Sequence, residues 1–468
     1  MSQSKVVICG VARTPIGSFL GSLSSLSAVE LGIATVSELC KRVGIRPEEG
    51  VIDDLIFGQV LQAGSGQNPA RQVALGAGLP VTTPAVSVNK VCGSSLEAAM
   101  MAANSIAAGK ANAIIAGGME SMSNAPQLLI GQRKGKKMGD SELIDSMIHD
   151  GLWDVYNDIH MGNTGETIAQ ECDISRQQSD EFAVRSHQNA AKAWENGWFD
   201  WEVFPISIPQ RNGDDVIFSK DEGIKPDTTN EALANLRPVF NKAGQVTAGN
   251  ASTLNDGASA VLIASESFAQ EKGWDIIATI EDYCTSGVEP HRVMSAPIPA
   301  IKTLLSRNSL AVSDVDIYEH NEAFASASCA IAKELGASKT INIKNDSINN
   351  HLEKLGIKYG FDVGLEVSGN PTAFNSMLTN MYHGGSIALL GILPNNTKID
   401  WDDVIFKGLK IKGIYGREMY ETWHKMVQIL RGGLNVKKIL THTFSISNYQ
   451  EAFEVLDIGQ CGKVVLEW

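Results

Sequence analysis

Short apolar runs alternate with helical stretches from the start of the chain to Gly118. The runs KVVICG, DLIFGQVL and ANAIIAGGMES have the length and composition of buried strands, and SAVELGIATVSELCKRV, between the first two, reads as a helix. Strands that alternate with amphipathic helices are typical of βαβ units around a largely parallel, buried sheet. The pattern predicts an α/β domain over residues 1–120.

The residue composition changes in the middle of the chain. From Asn124 to Val246 polar, Gly and Trp residues are frequent, and one helix stands out, SRQQSDEFAVRSHQNAAKAWENG, with Ser175 as its candidate N-cap. This predicts an inserted loop domain over residues 121–250. The α/β pattern returns with ASAVLIAS, IIATIEDYC and VDIYEHNEAFASASCAIAKELG, which we assign to residues 251–335.

The α/β pattern continues after Gly336. The runs KTINI, FDVGLEVSG, GGSIALLGI and KIKGIYG read as strands, and NYQEAFEVLDIGQCGKVVLEW reads as a helix, a turn and a last strand. Hydropathy marks no break before this part. We treat residues 336–468 as a further domain.

Charge and hydropathy narrow the function classes. The net charge of −14 argues against a nucleic-acid partner, because phosphate backbones bind clustered Lys and Arg. The basic run Arg133 to Lys137 is either a solvated loop or a binding site for an anionic ligand. No apolar stretch is long enough to cross a bilayer, and the opening MSQSKVVICGVARTPIG has too short an apolar run for a secretory signal. These features predict a cytoplasmic protein without a membrane partner.

One cysteine stands apart from the other six. The seven are scattered without a CxxC motif, which is typical of reduced thiols that pack as small apolar side chains. Cys92, in PAVSVNKVCGSSLEAAMMAANSIAAG, follows a β-branched run and directly precedes an Ala/Met-rich helix. A helix N-terminus favours negative charge, so we expect a lowered thiol pKa and a reactive thiolate. A structural cysteine before a helix is the alternative.

A series of motifs in one order carries a resemblance to a known family. They are VARTPIGSFLGSLS, GQVLQAGSGQNPARQVALGAG, VNKVCGSSLEAAMMAANSI, AGGMESMS, DIHMGNTGE, LRPVF, VTAGNASTLNDGASA and NEAFA. Over residues 1–335 the chain resembles the biosynthetic thiolases, which are acetyl-CoA acetyltransferases. The resemblance implies an α/β fold with a thiolase-like βαβαβ layered N-terminal domain, the inserted loop domain and an incomplete second thiolase half.

The resemblance also implies a site. Cys92 matches the nucleophile that holds an acyl group as a thioester. Asn321 matches the asparagine that holds a water in an oxyanion hole. Acetyl-CoA or acetoacetyl-CoA is the implied substrate, with no required cofactor, and the loop domain implies a homo-oligomer. His320 is given a mostly structural role. The residues that match the coenzyme A contacts of the family are His160, Met161, Phe240, Ser252, Met294, Ala323 and Phe324.

Two elements of the thiolase pattern are absent from the sequence. Thiolases have a His in a GHP motif, which takes the proton of the nucleophile, and a second Cys in a CxGGG motif. The later histidines, His351, His383, His424 and His442, are followed by Leu, Gly, Lys and Thr, and Cys461 lies in GQCGKVV. The sequence therefore predicts impaired turnover.

The last third of the chain resembles another family. From Cys329 or Lys333 onward, FDVGLEVSG, HGGSIALLGI, IDWDDVIFKGLKIKGIYGREMYETW and GQCGKVVLEW are similar to the C-terminal part of L-threonine 3-dehydrogenase, a zinc-dependent medium-chain dehydrogenase. A partial Rossmann-like segment is implied. No GxGxxG fingerprint follows a strand, so we expect no useful NAD affinity and no metal site. The residues that match an NAD border, as a vestigial half-site, are Leu390, Gly391, Ile392, Ile414 and Tyr415.

Three interpretations remain open at this point. The first is a working acetyl-CoA acetyltransferase whose C-terminal part completes the site. The second is a fusion that keeps the thiol and the coenzyme A contacts and acylates slowly, or only binds coenzyme A thioesters. The third is a non-catalytic recombination product with a vestigial threonine dehydrogenase tail. A broad, uncooperative thermal melt would favour the third.

Overall fold

The apolar runs of the first part form strands in the computed structural model, which describes residues 5–335, 361–366, 371–389, 395, 397–413, 440–445 and 463–467. The chain forms two compact units, Met1–Lys339 and Thr340–Trp468. The strands are β1 Val6–Arg13, β2 Gly17–Ser18, β3 Asp54–Gly58, β4 Ala85–Val88, β5 Ala113–Ser121, β6 Gln127–Leu128, β7 Ile144–Asp145, β8 Trp153–Asp154, β9 Ile159–His160, β10 Ile206–Ile208, β11 Val216–Phe218, β12 Asn255–Ser265, β13 Ala278–Ile280, β14 Phe361–Glu366, β15 Met381–Leu389, β16 Lys410–Gly413, β17 Leu440–Ser445 and β18 Lys463–Glu467.

Helices alternate with these strands in both units. They are α1 Ala28–Val43, α2 Pro69–Gly76, α3 Ser94–Ala107, α4 Met161–Glu171, α5 Arg176–Glu195, α6 Asn230–Ala234, α7 Glu266–Lys272, α8 Pro297–Arg307, α9 Ala325–Glu334, α10 Pro371–Asn380 and α11 Trp401–Phe406. Short 3₁₀ and π-helical turns lie between them. None of the helices in the described residues is long and apolar enough to span a membrane.

The main sheet of the first unit is mixed. Its strand order is β13-β1-β12-β5-β3-β4, and β2 pairs with β12. Strands β3, β4 and β5 run parallel, whereas β12 is antiparallel to both β1 and β5. The expectation of a largely parallel sheet is therefore corrected: β12, which follows the inserted segment, enters between β1 and β5 in the opposite direction.

Apolar side chains cover both faces of this sheet, since successive strand residues point to opposite sides. On one face Leu55, Phe57 and Ile115 pack with α1 and α2, and on the other Ile56 and Ile114 pack with α3. All five are buried. The burial on both faces fixes the sheet as the middle layer of a three-layer unit.

The helix α5 begins as the sequence predicts. Ser175 is its N-cap, with a hydrogen bond from the Gln178 backbone N–H and a reciprocal bond from the Ser175 N–H to the Gln178 side chain. Elsewhere in residues 121–250 there are short strand pairs, β6 with β7, β8 with β9 and β10 with β11. The domain boundaries given from the sequence stay predictions.

The second unit contains two small parallel sheets in its described residues, β14-β15-β16 and β17-β18. Phe374 and Leu378 of α10 pack with Met381 and Ile387 of β15 in a buried cluster. The runs FDVGLEVSG, GGSIALLGI and KIKGIYG contribute the strands β14, β15 and β16, as predicted. The run KTINI and the predicted closing helix lie outside the described residues.

Candidate active site

The carboxyl ends of three parallel strands and the start of β12 lie at one edge of the main sheet. The register pairs Gly58 with Val88 and Gly58 with Gly118, and it pairs Asp256 of β12 with Ser121 of β5. The turn that follows β4 and the segment that precedes β12 therefore leave the sheet at the same edge. Ligands of α/β sheets bind outside the carboxyl ends of the strands.

Cys92 lies in the turn at this edge, between β4 and α3, and is exposed. The residue before it, Val91, has a φ of +49°, in the left-handed region. A β-branched side chain is rarely found there, and the conformation costs on the order of 1–3 kcal/mol. The turn is therefore strained immediately before the candidate nucleophile.

Two side chains hold this turn. The Ser94 hydroxyl accepts a hydrogen bond from the Lys90 N–H at 2.9 Å and donates one to the Val91 carbonyl at 2.6 Å. The Asn89 side-chain carbonyl accepts from the Val91 N–H at 2.9 Å. Both polar groups of the Val91 backbone are thus bonded, which favours the left-handed conformation.

Two glycines let α3 begin directly against the strand ends. A Cβ on Gly58 would lie 2.6 Å from Ser94 Cβ, and a Cβ on Gly118 would lie 2.1 Å from Ser95 Oγ. Both separations are far below van der Waals contact. Gly118 belongs to the AGGMESMS motif, so one part of that motif serves the close approach of the helix that follows Cys92.

The expected lowering of the Cys92 pKa is wrong. Although Cys92 as a whole residue is exposed, its surroundings partly desolvate the sulfur and raise the pKa of the Cys92 thiol, and the residue's own backbone N–H offsets part of this rise. Helix α3 begins at Ser94 with Gly93 as its N-cap, so Cys92 precedes the helix. Desolvation outweighs the electrostatic effect of the helix end. At pH 7 the group is a neutral thiol, and acyl transfer needs a base that takes its proton.

Glu120 and the loop after β3 support the same turn. The Glu120 carboxylate accepts hydrogen bonds from the Val60 and Leu61 N–H groups at 2.8 and 3.3 Å. The Asn89 amide donates to the Val60 carbonyl at 3.4 Å. Burial raises the pKa of Glu120, and these backbone N–H groups counter the rise. Sequence reasoning missed Asn89 and Glu120 and the hydrogen bonds of the Ser94 hydroxyl, although all three residues lie within the quoted motifs.

An aromatic stack forms at the start of α4. The rings of His160 and Phe240 are stacked with centroids 4.7 Å apart, and Trp153 meets His160 edge to face at 6.4 Å. His160 is the N-cap of α4, and its Nδ1 accepts from the Gly162 N–H at 3.0 Å. Burial lowers the pKa of His160, so the ring is neutral at pH 7. Sequence reasoning missed Trp153, which no motif signals.

The structure brings most of the candidate coenzyme A contacts together. Phe240, Met294, Ala323 and Phe324 belong to one apolar cluster. The Ser252 N–H donates to the Ala323 carbonyl at 2.9 Å, which joins the GNAST and NEAFA motifs. Met161 is the first residue of α4.

The NEAFA segment carries Asn321 and His320 in different settings. Asn321 is exposed, and its backbone carbonyl accepts a hydrogen bond from the Ala323 N–H at 2.9 Å. His320 is half-buried, with its Nδ1 3.3 Å from the Ser328 hydroxyl on α9. Burial lowers the pKa of His320, and Glu322 opposes the shift. The catalytic role of Asn321 and the structural role of His320 stay predictions.

The candidate NAD residues of the second unit, Leu390, Gly391, Ile392, Ile414 and Tyr415, lie outside the described residues. Across the described part of the chain, no group of three or more His, Cys, Asp or Glu side chains is arranged to hold a metal ion. The described donors therefore do not fit a zinc site.

Family models match almost the whole first unit and part of the second. Residues 6–267 match the family described as "Thiolase, N-terminal domain", and residues 274–364 match "Thiolase, C-terminal domain". The chain belongs to the thiolase family. Residues 323–432 also match "Zinc-binding dehydrogenase", so the two resemblances overlap over residues 323–364. Both family resemblances and the fold class are confirmed, while the finer match to threonine 3-dehydrogenase stays a prediction.

Individual thiolases are similar over most of their length. The acetyl-CoA acetyltransferase of Cupriavidus necator is 48% identical over 347 residues, which are 74% of this chain and 88% of that protein. A probable acetyl-CoA acyltransferase of Staphylococcus aureus is 45% identical over the same shares. The crystal structure of the Bacillus anthracis acetyl-CoA acetyltransferase matches with a TM-score of 0.69 at 40% identity, over 71% of this chain and 84% of that one.

Proposed function

We propose that this thiolase-family chain accepts an acyl group from an acyl-coenzyme A as a thioester on Cys92. The sulfur of Cys92 attacks the thioester carbonyl, the bond to the coenzyme A sulfur breaks, and the proton of the Cys92 thiol ends on the released coenzyme A. The names of the relatives, acetyl-CoA acetyltransferase and acyltransferase, support short acyl groups. The observation that carries the proposal is the exposed Cys92 in a strained turn at the sheet edge where β12 begins.

The candidate contacts suit the cofactor portion of such a substrate. We assign the apolar cluster of Phe240, Met294, Ala323 and Phe324 to the pantetheine arm, with Ser252 beside it, and His160 and Met161 along the same arm. The stacked, neutral His160 supports an apolar wall rather than a charged clamp. Asn321 is assigned to the oxyanion water. A homo-oligomer formed through residues 121–250 is part of the proposal, to be measured by light scattering.

Turnover in this proposal is impaired. The sequence has neither the GHP histidine nor the CxGGG cysteine, and desolvation raises the pKa of the Cys92 thiol. Loss of a general acid–base group lowers a rate by a factor of about 10² to 10⁴. We therefore expect slow thioester formation and weak or absent acetoacetyl-CoA thiolysis.

Intact-mass spectrometry after incubation with acetyl-CoA tests this proposal. The expected result is a single acetyl adduct that is lost in Cys92→Ala and retained in Cys172→Ala, a matched control at a half-buried thiol. The absence of any adduct on the parent chain would rule out acyl transfer. Thiolysis of acetoacetyl-CoA at the rate of a complete thiolase, measured in parallel, would contradict the impairment.

A second candidate function is binding of coenzyme A thioesters without chemistry. It is favoured by the raised pKa of the Cys92 thiol together with the assembled apolar cluster. In that case acetyl-CoA binds with the same Kd to the parent chain and to Cys92→Ala, and no adduct forms. Isothermal titration calorimetry on both proteins separates the two candidates.

A further inference from the structure

A side chain that follows the nucleophile bonds both ends of the strained turn before Cys92. Ser94 is buried, with 4% of its surface exposed, and its hydroxyl lies between the two ends of the turn. It accepts from the Lys90 N–H and donates to the Val91 carbonyl, at 2.9 and 2.6 Å. The hydroxyl thus adds two bonds to the backbone bonds that close the turn, from the Gly93 N–H to the Lys90 carbonyl and from the Ser94 N–H to the Val91 carbonyl, both at 3.1 Å.

Because the Val91 backbone is strained, the hydrogen bonds of the Ser94 hydroxyl affect its conformation. Val91 keeps a φ of +49° only while its surroundings stabilise that conformation. In Ser94→Ala the Val91 carbonyl keeps the hydrogen bond from the Ser94 backbone N–H at 3.1 Å but loses the one from the hydroxyl, and the Lys90 N–H loses its acceptor. We expect the backbone of Val91 then to return to negative φ, which redirects the peptide that leads into Cys92. A displacement of about 1 Å at a reacting group lowers a rate by up to about a hundredfold.

Neighbouring contacts tie both ends of the turn to helix α3. Gly58 lies so close to Ser94 that a Cβ there would come within 2.6 Å of Ser94 Cβ, which fixes the start of α3 against β3. Lys90, at the other end of the turn, forms an ion pair with Glu97 of α3, and the Lys90 Nζ lies 2.6 Å from the Glu97 carboxylate. Ser94 is therefore anchored to a rigid part of the sheet, while Val91 and Cys92 are exposed.

We propose that Ser94 is a positioning residue that holds Val91 in its left-handed conformation and thereby directs the Cys92 thiol toward the acyl donor. This inference rests on the proposed acyl transfer for its chemical consequence. Ser94 does not touch the substrate in this assignment. It acts through the Val91 backbone.

The chemical test compares the acetylation of Cys92 by acetyl-CoA with its alkylation by iodoacetamide. In Ser94→Ala we expect acetylation to slow about ten- to a hundredfold, with alkylation of Cys92 close to that of the parent chain, because a small diffusing reagent needs no aligned thiol. Ser105→Ala, on the same helix, is the matched control and leaves both rates unchanged. Equal acetylation in Ser94→Ala and the parent chain would overturn the assignment.

The substitution Val91→Gly should restore the acetylation that Ser94→Ala loses. Glycine adopts positive φ without strain, so Val91→Gly in the Ser94→Ala background should recover most of the acetylation rate. A merely structural role for Ser94 would instead lower the thermal midpoint without this rescue. If Ser94→Ala alone does not fold, the double variant still decides: a folded double variant supports the assignment, and an unfolded one contradicts it.

A crystallographic measurement separates this inference from the proposed function. In the structure of Ser94→Ala we expect a negative φ at Val91 and a displaced Cys92 sulfur. Retention of the left-handed conformation would overturn the assignment even if acetylation changes. Should the parent chain form no acetyl adduct, the proposed function fails, and the φ at Val91 still decides whether Ser94 holds the turn.

Discussion

The imidazole of His160 lies face to face with the ring of Phe240, with the two planes inclined by 20°. The same imidazole caps α4 through Nδ1, which accepts from the Gly162 N–H. His160 thus combines a packing role and a capping role in one ring. The two roles can be separated by substitution, because asparagine is a good N-cap without an aromatic ring.

Replacement of His160 should affect stability through the cap. We expect His160→Ala to lower the free energy of unfolding by about 1 kcal/mol, and His160→Asn to recover most of that loss. Urea denaturation at pH 8 measures both. If His160→Asn were as unstable as His160→Ala, stacking on Phe240 rather than capping would account for the contribution.

The same cap predicts a pH dependence. The folded-state pKa of His160 is lowered below its ordinary value of 6.5, so the unfolded chain binds more protons as the pH falls toward that value. Protonation also turns Nδ1 from an acceptor into a donor, which breaks the cap.

The stabilisation by His160 is therefore complete above about pH 6.5 and is lost as the pH falls through the folded-state pKa. The difference in free energy of unfolding between the parent chain and His160→Asn should shift in favour of His160→Asn from pH 8 to pH 5. Urea denaturation at both pH values measures this. A difference independent of pH would show that His160 does not titrate in this range.

The raised pKa of Cys92 predicts its reactivity profile. Desolvation places the pKa above the ordinary thiol value of 9.0, so the rate of iodoacetamide alkylation should keep rising through pH 9. Peptide mass spectrometry resolves Cys92 from Cys172 and Cys329, and Cys92→Ala identifies its peptide. A plateau below pH 8.5 would indicate the lowered pKa that the helix end alone suggests.

Gly58 should not tolerate a side chain. The Cβ of Gly58→Ala would meet Ser94 and the Ser95 backbone N, so α3 must shift, and we expect a loss of about 1–3 kcal/mol in the free energy of unfolding. Gly287→Ala is the control, because nothing lies within 4 Å of a Cβ at Gly287. Equal stability of the two variants in urea denaturation would contradict the close approach of helix and strand.

Arg13 joins the first strand to the inserted segment. Its guanidinium bonds the carboxylates of Glu202 and Asp221 at 2.6 and 2.9 Å, and 17% of its side chain is exposed. Arg13→Ala removes the cation that two facing carboxylates share, so we expect a loss of about 3 kcal/mol in the free energy of unfolding.

The pair of Arg307 with Asp282 provides the comparison for Arg13. The Arg307 side chain is 52% exposed, so Arg307→Ala should cost less than about 1 kcal/mol. Urea denaturation of the two variants checks the contrast. A small effect at Arg13 would mean that the remaining hydrogen bonds of Asp221, from the Ile16 N–H and the Trp194 ring N–H, hold the contact.

The elements and the family could be predicted from the order of residues along the chain. Local patterns located β1, α1, β5 and α5, including the Ser175 cap, because periodicity and capping depend on neighbouring residues. The order of the motifs identified the thiolase part and the dehydrogenase-like part, and both family models match. The candidate residues near coenzyme A came from that resemblance rather than from periodicity.

The way these parts meet could be learned from the three-dimensional arrangement alone. The antiparallel entry of β12, the contact of Ser252 with Ala323 and the bridge from Ser94 to Val91 join groups whose relation no local pattern encodes. The pKa of Cys92 is the clearest case. A helix that begins after the thiol suggests a lowered pKa, whereas the atoms packed around the sulfur desolvate it and raise the pKa. Desolvation depends on every neighbour in space, and a pattern of adjacent residues does not specify those neighbours.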